Sequence, residues 1–316
     1  MRQRNVRLRA AAAAMSVVAL GGVAACSSQP AGNAAAPVEQ AGGAQPGADA
    51  AAVSALVAAE KPAPASVIAG NSVAAKIKAN GTLVYGGTET APLFSLLNPA
   101  TGQVSGFDAG IASLLAKYIT GADHTRMVTV TAATREALLE NHSVDAVIAT
   151  YTITPARQEV VNFAGPYFLD GLGIAVSQQS TGITSAASLA GKTVITESGS
   201  TVPAAVKAVA PTAKVILFDT DAECLQALMQ GRADAYVLDQ GILAGDATTS
   251  PGIKVLPATF DPEPYGIGVS KDEPQFTVFV DTWLKQIEAD GTWTKLWKAT
   301  IGTSIPGQPP SPPAVG

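Results

Sequence analysis

Charged and aromatic residues are scarce in this chain of 316 residues, which contains only two histidines and two cysteines. Charged residues make up 14% and aromatic residues 5% of the sequence, and the net charge is −5. The sequence has no cluster of basic residues, so a nucleic-acid partner is not expected. His124 and His142 stand apart from other metal-ligand residues, so neither a metal site nor a cofactor is predicted.

Sequence motifs of catalysis are also missing. The chain has no nucleophile–base pattern and no glycine-rich phosphate loop. Glu89 or Glu197 could serve as a buried acid in a folded site. The sequence therefore favours a function other than catalysis and leaves an enzyme as the alternative.

The first 25 residues have the composition of an export signal. Four arginines precede an alanine-rich apolar run at residues 10–25, which is too short for a comfortable membrane span. The run ends in Val23-Ala24-Ala25-Cys26, which resembles a bacterial lipobox, so we expect Cys26 to become the lipidated first residue. An ordinary secretory signal with an incidental cysteine is the alternative. Removal of the four arginines would change the net charge from −5 to −9.

A lipid on Cys26 would hold the exported protein at the outer face of the cytoplasmic membrane. Residues 26–70 are rich in Ala, Gly, Pro, Gln and Ser, which predicts a disordered tether, with a short helix possible near residues 50–59. A second disordered, Pro-rich segment is expected at residues 302–316. Cys224 is the remaining thiol, and the helical pattern around it predicts a buried, inert side chain.

Between these ends, segments typical of strands and helices alternate, which predicts an α/β fold. Two stretches, ALLENHSVDAVIAT and ALMQGRADAYVLD, share the order helix, turn, Asp-Ala and strand, with Asp145 and Asp234 89 residues apart. Chance similarity of two buried strands is the alternative. A true repeat would produce two similar lobes whose strand ends meet at a shared cleft, where open α/β sheets bind ligands.

Arg157 follows one of these strand ends, in the stretch YTITPARQEVVNFAGPY. Thr154 suits an N-cap and Pro155 a first helical position, which places Arg157 in the first turn of a helix. A cation there is favourable when it and the helix N-terminus bind one anion, and arginine matches a carboxylate with two parallel donors. A structural ion pair with Glu159 or Asp170 is the alternative.

The second half of the chain has a corresponding strand end, from Glu197 to Thr201. The backbone N–H groups at the following helix start could bind a carboxylate, although an ordinary strand-to-helix turn has the same pattern. Asp239 ends the strand AYVLD, where it could pair with an ammonium group or cap the helix from Gln240. A cation and a carboxylate facing one cleft would suit a free α-amino acid.

Six stretches together resemble one family: GFDAGIASLLA, VDAVIATYTITPARQEVVNFAGPYF, LAGKTVITESGST, GRADAYVLD, YGIGVS and IEADGTWTKLW. In their order and spacing the chain resembles the family 3 solute-binding proteins of ABC transporters, especially actinobacterial glutamate- and glutamine-binding lipoproteins, from about residue 81 to 298. The resemblance implies a two-lobed type II periplasmic-binding-protein fold, with a ligand cleft that closes around a hinge. It implies lobe 1 at residues 71–170 plus 266–301 and lobe 2 at residues 171–265.

The resemblance also assigns roles in the cleft. It places the ligand α-carboxylate against residues from both lobes, namely Arg157, Thr152, the backbone at Thr150, Ser200 and Thr201. It pairs the ligand α-ammonium with Asp239. Chain crossovers near residues 168–173 and 263–266 would form the hinge.

The chain departs from the family pattern around the ligand's ammonium and side chain. Thr88 stands where many members have an aspartate that helps to bind the ammonium. Ala91 and Ala132 replace aromatic residues that stack on the ligand. Glu197 or Ser198 replaces a frequent lysine or arginine, so an acidic side chain loses a partner. We expect a ligand from the glutamine, glutamate, asparagine and aspartate group, with a basic amino acid still open.

The resemblance implies a protein that captures a polar amino acid and delivers it to the permease of an ABC transporter, and we expect it to be a monomer. An extracellular amino-acid sensor for a signalling partner would use the same site, so the sequence does not separate the two. A dehydratase-type enzyme is the third reading, because related folds host cyclohexadienyl dehydratases and lytic transglycosylases.

Overall fold

The computed structural model describes residues 48–305 and 307–316, and helices and strands alternate along them as predicted. The helices are α1 (Ala50–Ala59), α2 (Ala65–Ala69), α3 (Ser72–Asn80), α4 (Phe107–Thr120), α5 (Arg135–Glu140), α6 (Pro155–Val160), α7 (Val202–Val209), α8 (Asp221–Met229), α9 (Gln240–Thr249), α10 (Pro274–Ala289) and α11 (Thr292–Ala299). The strands are β1 (Leu83–Gly87), β2 (Thr90–Ala91), β3 (Ser95–Leu97), β4 (Val104–Ser105), β5 (Thr125–Thr129), β6 (Ala146–Val147), β7 (Val161–Ser177), β8 (Thr193–Glu197), β9 (Lys214–Phe218), β10 (Ala235–Asp239), β11 (Ile253–Val255) and β12 (Phe260–Ser270).

A nine-stranded mixed sheet organises the fold, in the order β5-β1-β6-β12-β7-β10-β8-β9, with β11 beside β7. Strand β1 pairs in parallel with β5 and β6, and β8 pairs in parallel with β9 and β10. We call the half around β1, β5 and β6 lobe 1, and the half around β8, β9 and β10 lobe 2. A small antiparallel sheet, β2-β3-β4, accompanies lobe 1.

Two long strands connect the lobes. Strand β7 has 17 residues and β12 has 11, and they pair antiparallel along most of their length. At about 3.3 Å per residue, β7 is long enough to contribute to both halves of the sheet. The pairing shifts register between Tyr265 and Ile267 and again between Phe260 and Pro262, on either side of the passage between lobes. These strands contain both predicted crossovers, while the exact lobe boundaries remain a prediction.

The internal repeat seen in the sequence corresponds to a repeated structural unit. Asp145 exchanges two hydrogen bonds with Val84: its N–H donates to the Val84 carbonyl (2.7 Å), and its Oδ2 accepts from the Val84 N–H (3.0 Å). Asp234 makes the same pair with Thr193, at 2.9 and 2.8 Å. Each aspartate therefore fastens the start of its strand to the central parallel strand of its lobe, by the same contact.

Aromatic and aliphatic side chains fill the core of lobe 1. Trp283 and Trp293 are buried, and Trp297 is 5% exposed, as the amphipathic pattern of the last helices predicts. Trp293 packs edge-on against Phe107 with ring centroids 5.5 Å apart.

Cys224 is buried in α8, which confirms the expectation of an enclosed thiol.

The prediction of a disordered tether over residues 26–70 is wrong from residue 50 onward. Residues 50–69 form α1 and α2, of which the first was anticipated as a possible helix. Asp49 caps α1 by accepting the Ala52 N–H, and Val57 and Ile68 are buried in the main core. Alanine favours helix, and these two apolar side chains supply the tertiary contacts that a loose tether lacks.

The predicted disordered tail also makes contacts at its end. Val315 is buried at 9% exposure, and the Gly316 N–H donates to the Gly165 carbonyl at 3.2 Å. Residues 1–47, with the predicted export signal and Cys26, lie outside the described residues. In the ranges that the structure covers, no helix combines the length and the apolar character needed to cross a membrane.

Candidate functional site

The candidate site lies where strand ends of the two lobes meet. The segment after β6 brings Thr150 to Thr152 from lobe 1, and the segment after β8 brings Glu197 to Thr201 from lobe 2. Asp239 ends β10 in lobe 2. A Cβ on Gly199 would come within 2.7 Å of the Ala133 Cα, so the two lobes are in close contact here.

Arg157 occupies the position that the sequence predicts. Thr154 caps α6 by accepting the Arg157 N–H at 3.2 Å, and Pro155 begins the helix. The side chain is 8% exposed, and its Nη1 donates to the Thr152 carbonyl at 2.8 Å. The expected alternative partners were Glu159 and Asp170, but the ion pair present is with Glu136, at a long 4.0 Å.

Arg157 also bridges the two lobes. Its Nη2 donates to the Gly199 carbonyl of lobe 2 at 3.0 Å. Nearby, the Thr201 hydroxyl donates to Glu263 Oε1 on the second crossover at 2.7 Å. These contacts hold the lobes together at the point where the guanidinium is buried. The structure is therefore a closed arrangement of the two lobes.

Asp239 is a buried carboxyl facing the same region. It precedes α9 but makes no cap hydrogen bond, and Asp170 Oδ2 accepts the Gly241 N–H of that helix instead, at 2.9 Å. The alternative role of Asp239 as an N-cap is therefore wrong. Among the described residues, Asp239 Oδ1 is buried and has no hydrogen-bond partner.

The electrostatic setting of Asp239 is acidic. Burial, followed by the neighbouring Asp170 and Glu263, raises the pKa of Asp239 well above its usual range, while the Tyr265 hydroxyl lowers it. Asp239 in turn favours the charged form of Arg157, whose pKa is lowered chiefly by burial. A cation between these carboxyls would relieve their mutual repulsion.

The remaining predicted residues fall into two groups. The Thr150 N–H donates to Asp108 at 2.8 Å, and the Ser200 hydroxyl donates to the Glu197 carbonyl at 2.8 Å. Thr150 and Ser200 therefore make hydrogen bonds that fix the conformation of their own cleft segments. Thr88 instead exchanges hydrogen bonds with Ser95 of β3, which ties it to the small sheet beside lobe 1.

Glu197 lies in lobe 2 within a group of acids. It accepts the Asp221 backbone N–H, and burial and the nearby Asp221 carboxyl raise the pKa of Glu197 to about 8. Arg135 of lobe 1 lowers that pKa, so the two side chains interact across the lobes. They form no ion pair within 4.0 Å in the ranges described, which leaves their charged groups separated.

Arg135 is the site residue that sequence reasoning missed. It begins α5, is 4% exposed, and stacks on the Tyr151 ring at 4.0 Å, with Arg157 over the same ring at 5.0 Å. Its Nη1 donates to the Ala149 carbonyl, whereas its buried Nε has no partner among the described residues. Burial and the neighbouring Arg157 lower the pKa of Arg135 to about 10, so it stays charged at neutral pH. Arg135 stands at the start of a helix that follows a strand, as Arg157 does, and this shared position could have identified it as a candidate site residue.

The site thus combines two buried arginines with a buried carboxyl on the opposite lobe. Arginine presents parallel donors to a carboxylate, and a buried carboxylate pairs with an ammonium. In the part of the chain that the structure describes, no group of three or more His, Cys, Asp or Glu side chains could hold a metal ion. Two lobes joined by two connecting strands, with buried arginines on one side of their contact and a buried carboxyl on the other, are the arrangement of a cleft-type binding protein for a small molecule.

Comparison with known proteins specifies the class further. Residues 83–303 match the family described as bacterial extracellular solute-binding proteins, family 3, and the chain belongs to that family. It is an exported protein of the substrate-binding type that serves ABC transporters.

The similar relatives and solved structures are amino-acid-binding proteins, and their names differ in the amino acid. The chain is 40% identical to a glutamine-binding protein of Geobacillus stearothermophilus over 66% of this chain and 80% of the relative. It is 33% identical to the glutamate-binding protein GluB of Corynebacterium efficiens, over 71% of this chain and 80% of the relative. An ancestral arginine-binding protein bound to glutamine matches with a TM-score of 0.66 and 34% identity, over 70% of this chain and 98% of the other.

Proposed function

We propose that this protein captures a free polar α-amino acid of the glutamine, glutamate, asparagine and aspartate group by closure of its two lobes. Arg157 binds the α-carboxylate, with Thr152, Thr150, Ser200 and Thr201 around it, and Asp239 binds the α-ammonium. The observation that carries the proposal is the opposition of Arg157 and Asp239 across the lobe contact, with Asp239 Oδ1 buried and, among the described residues, unpartnered.

Arg135 and Glu197 supply the specificity for the ligand side chain. Arg135 provides the cation that the sequence pattern lacked, which suits a side chain ending in a carbonyl or carboxylate oxygen. Glu197, whose pKa is raised to about 8, accepts a hydrogen bond from an amide N–H₂ through its carbonyl oxygen at neutral pH, and it repels a second carboxylate at higher pH, where it is ionised. Relatives that bind glutamine or glutamate support this choice. We rank glutamine first, because the glutamine-binding relative is 40% identical to this chain and the glutamate-binding relative 33%.

A thermal-shift measurement with the twenty amino acids tests the proposal. The chain from residue 27 onward is unfolded and refolded first, which removes any ligand carried over from expression. A ligand at about one hundred times its dissociation constant adds roughly 2.7 kcal/mol to the free energy of unfolding. A large shift with glutamine or glutamate supports the proposal, and the absence of a shift with every amino acid refutes it.

The same measurement at pH 6 and pH 9 tests the role of Glu197. Because its pKa is raised to about 8, Glu197 carries a proton at pH 6 and a negative charge at pH 9. We expect the preference for glutamine over glutamate to be larger at pH 9. An unchanged preference would remove Glu197 from the side-chain contact.

Delivery to a membrane permease, with an N-terminal lipid on Cys26 as the anchor, completes the proposal. Membership in the solute-binding family supports a transporter partner. Mass spectrometry of the membrane-bound protein would detect a lipidated Cys26, and a Cys26→Ala variant should be released from the membrane.

The protein is proposed to act as a monomer and not as an enzyme, since the relatives named above are binding proteins. Turnover of prephenate or arogenate would contradict that.

A further inference from the structure

Asp108 connects three separate parts of lobe 1 although it belongs to none of the cleft segments. It lies in the first turn of α4, with no solvent exposure, and makes no cap bond there. The sequence pattern assigns no ligand contact to it. Its Oδ2 accepts the Thr150 N–H at 2.8 Å, and its Oδ1 accepts the Tyr167 hydroxyl at 2.8 Å. Both carboxylate oxygens therefore bond to other elements.

Thr150 has an unusual backbone at the point that Asp108 holds. Its φ is +43°, in the left-handed region, which is a genuine outlier for a β-branched residue. Such conformations persist only when their surroundings impose them, and they concentrate at ligand sites. The Asp108 carboxylate takes the Thr150 N–H, which leaves the Thr150 carbonyl and hydroxyl for other partners.

Tyr167 carries the connection towards the hinge. It lies on β7 immediately before the predicted crossover at residues 168–173. Its carbonyl accepts the indole N–H of Trp293 at 2.7 Å, and Phe107, the neighbour of Asp108, packs edge-on against the Trp293 ring. Through these contacts the start of α4, the Thr150 turn, the crossover strand and α11 form one buried unit.

We propose that Asp108 is a positioning residue of the binding site, whose carboxylate fixes the left-handed turn at Thr150 and links it to the crossover strand through Tyr167. The proposal rests on the proposed function, in which the segment Thr150 to Thr152 contacts the amino-acid ligand. Asp108 itself does not touch the ligand and acts through Thr150. Loss of the carboxylate relaxes the turn and lowers ligand affinity.

The charge on Asp108 follows from its surroundings. Burial raises the pKa of Asp108 to about 6, against the lowering effects of the Thr150 N–H, the Tyr167 hydroxyl and the Arg135 guanidinium of α5. Tyr85 of β1 also faces it, and the Asp108 charge raises the pKa of that phenol. Protonation below about pH 6 weakens the acceptor for the Thr150 N–H. Ligand affinity should therefore fall as the pH falls through 6, where the α-groups of a free amino acid keep their charges.

Calorimetric titration with L-glutamine and L-glutamate from pH 5 to pH 8 tests this. Asp108→Asn should lose about tenfold in affinity at pH 7.5, because its amide nitrogen cannot accept one of the two bonds. The decline below pH 6 should be smaller in the variant than in the native protein, because the contribution of Asp108 is removed while Asp239 and Glu197 still change charge with pH. Asp145→Asn is the matched control, since Asp145 also accepts a backbone N–H on lobe 1, and it should bind as the native protein does.

Tyr167→Phe provides a second variant that keeps the carboxylate. The Tyr167 hydroxyl lowers the pKa of Asp108, so its removal should move the midpoint of the affinity decline to higher pH. A merely structural role would change the melting temperature without moving that midpoint. An unmoved midpoint in the folded variant would overturn the proposal.

A measurement without ligand separates this inference from the proposed function. The Thr150 amide resonance in nuclear magnetic resonance spectra should follow pH with a midpoint near 6, and Asp108→Asn should abolish that titration. If none of glutamine, glutamate, asparagine and aspartate binds the native protein, the proposed function fails, while the Thr150 titration still reports on Asp108. Equal affinity of native protein and folded Asp108→Asn at pH 7.5, or a Thr150 amide insensitive to pH, would refute the inference.

Discussion

At the scale of single residues, the proposed binding site contains two arginines that are already buried by the protein's own residues. The guanidinium groups of Arg135 and Arg157 both lie over the Tyr151 ring, at 4.0 and 5.0 Å from its centroid. The ring face offsets part of the cost of removing both guanidinium groups from water. Burial lowers the pKa of both arginines, with a further lowering of the Arg135 pKa by Arg157, and a carboxylate ligand would reverse that effect.

Arg157→Ala should abolish amino-acid binding while the fold persists. A hydrogen bond to a charged group contributes about 1.5–3 kcal/mol, so loss of a paired contact should lower affinity by about a hundredfold or more. Calorimetric titration measures this directly. Arg232→Ala is a matched control, because Arg232 also stacks on an aromatic ring, Phe218, but lies outside the site. Unchanged affinity in the folded Arg157 variant would remove that residue from the site.

Asp239→Asn should weaken amino acids more than matched acids that lack the amine. The uncharged amide no longer attracts an ammonium, whereas the contacts of Arg157 with the carboxylate remain. Comparing L-glutamine with glutaramic acid, its analogue without the α-amine, isolates this effect. Asp234→Asn, just before the same strand, is the control, since Asp234 bonds to the backbone of β8 at the strand end away from the site. Equal losses for both ligands would remove the ammonium role.

At the scale of helices and strands, the sequence correctly predicted the features that residue type and short spacing determine. The N-cap at Thr154 and the two Asp-Ala strand starts at Asp145 and Asp234 follow from residue types and short spacings. The sequence did not predict that Arg135 would be buried near Arg157. Both arginines stack on the Tyr151 ring, and that contact depends on how α5 and α6 pack in three dimensions, which no short sequence pattern gives. It also left residues 50–69 mostly disordered, because their helices depend on packing against lobe 1 rather than on amphipathic pattern.

Helix α9 of lobe 2 packs against the segment before β3 in this closed arrangement. A Cβ on Gly245 would meet the Pro92 Cβ at 2.6 Å, which is closer than real Cβ contacts. Gly245→Ala should therefore obstruct full closure and lower ligand affinity by about tenfold, measured by calorimetry. Alanine favours helix over glycine by about 1 kcal/mol, so the stability of lobe 2 should not fall.

Gly252→Ala is the control for this obstruction. Gly252 lies in the same lobe, and a Cβ added there would meet no atom of the described residues within 4 Å. Its substitution should leave affinity at the native value. If Gly245→Ala also binds normally, then the approach of Gly245 to Pro92 is not required for binding.

At the scale of the whole molecule, buried acids are concentrated in lobe 2. The Tyr236 hydroxyl donates to Asp221 Oδ1 at 2.7 Å, and the buried Asp221 and Asp246 carboxyls interact electrostatically. Burial raises the pKa of Asp246 to about 7 and that of Asp221 well above its usual range. With Glu197 beside them, lobe 2 holds protons at neutral pH that the unfolded chain would release.

Stability should consequently decrease as the pH rises. A carboxyl whose pKa is raised in the folded state binds more protons there than in the unfolded chain, so the free energy of unfolding falls with rising pH across that interval. For Glu197 the interval runs from about 4.5, its ordinary value, to about 8. Each unit of difference corresponds to about 1.4 kcal/mol, so the effect amounts to a few kcal/mol above pH 8.

Glu197→Gln should remove this dependence, because glutamine has the same shape and no charge to bury. We expect its melting temperature to exceed that of the native protein at pH 9 and to equal it at pH 4, where the native carboxyl is protonated in the folded state. Thermal unfolding followed by circular dichroism at both pH values measures the difference. Glu140→Gln, at an exposed site on α5, should keep the native dependence. Equal melting temperatures of Glu197→Gln and native protein at pH 9 would show that Glu197 is ionised without cost in the folded state.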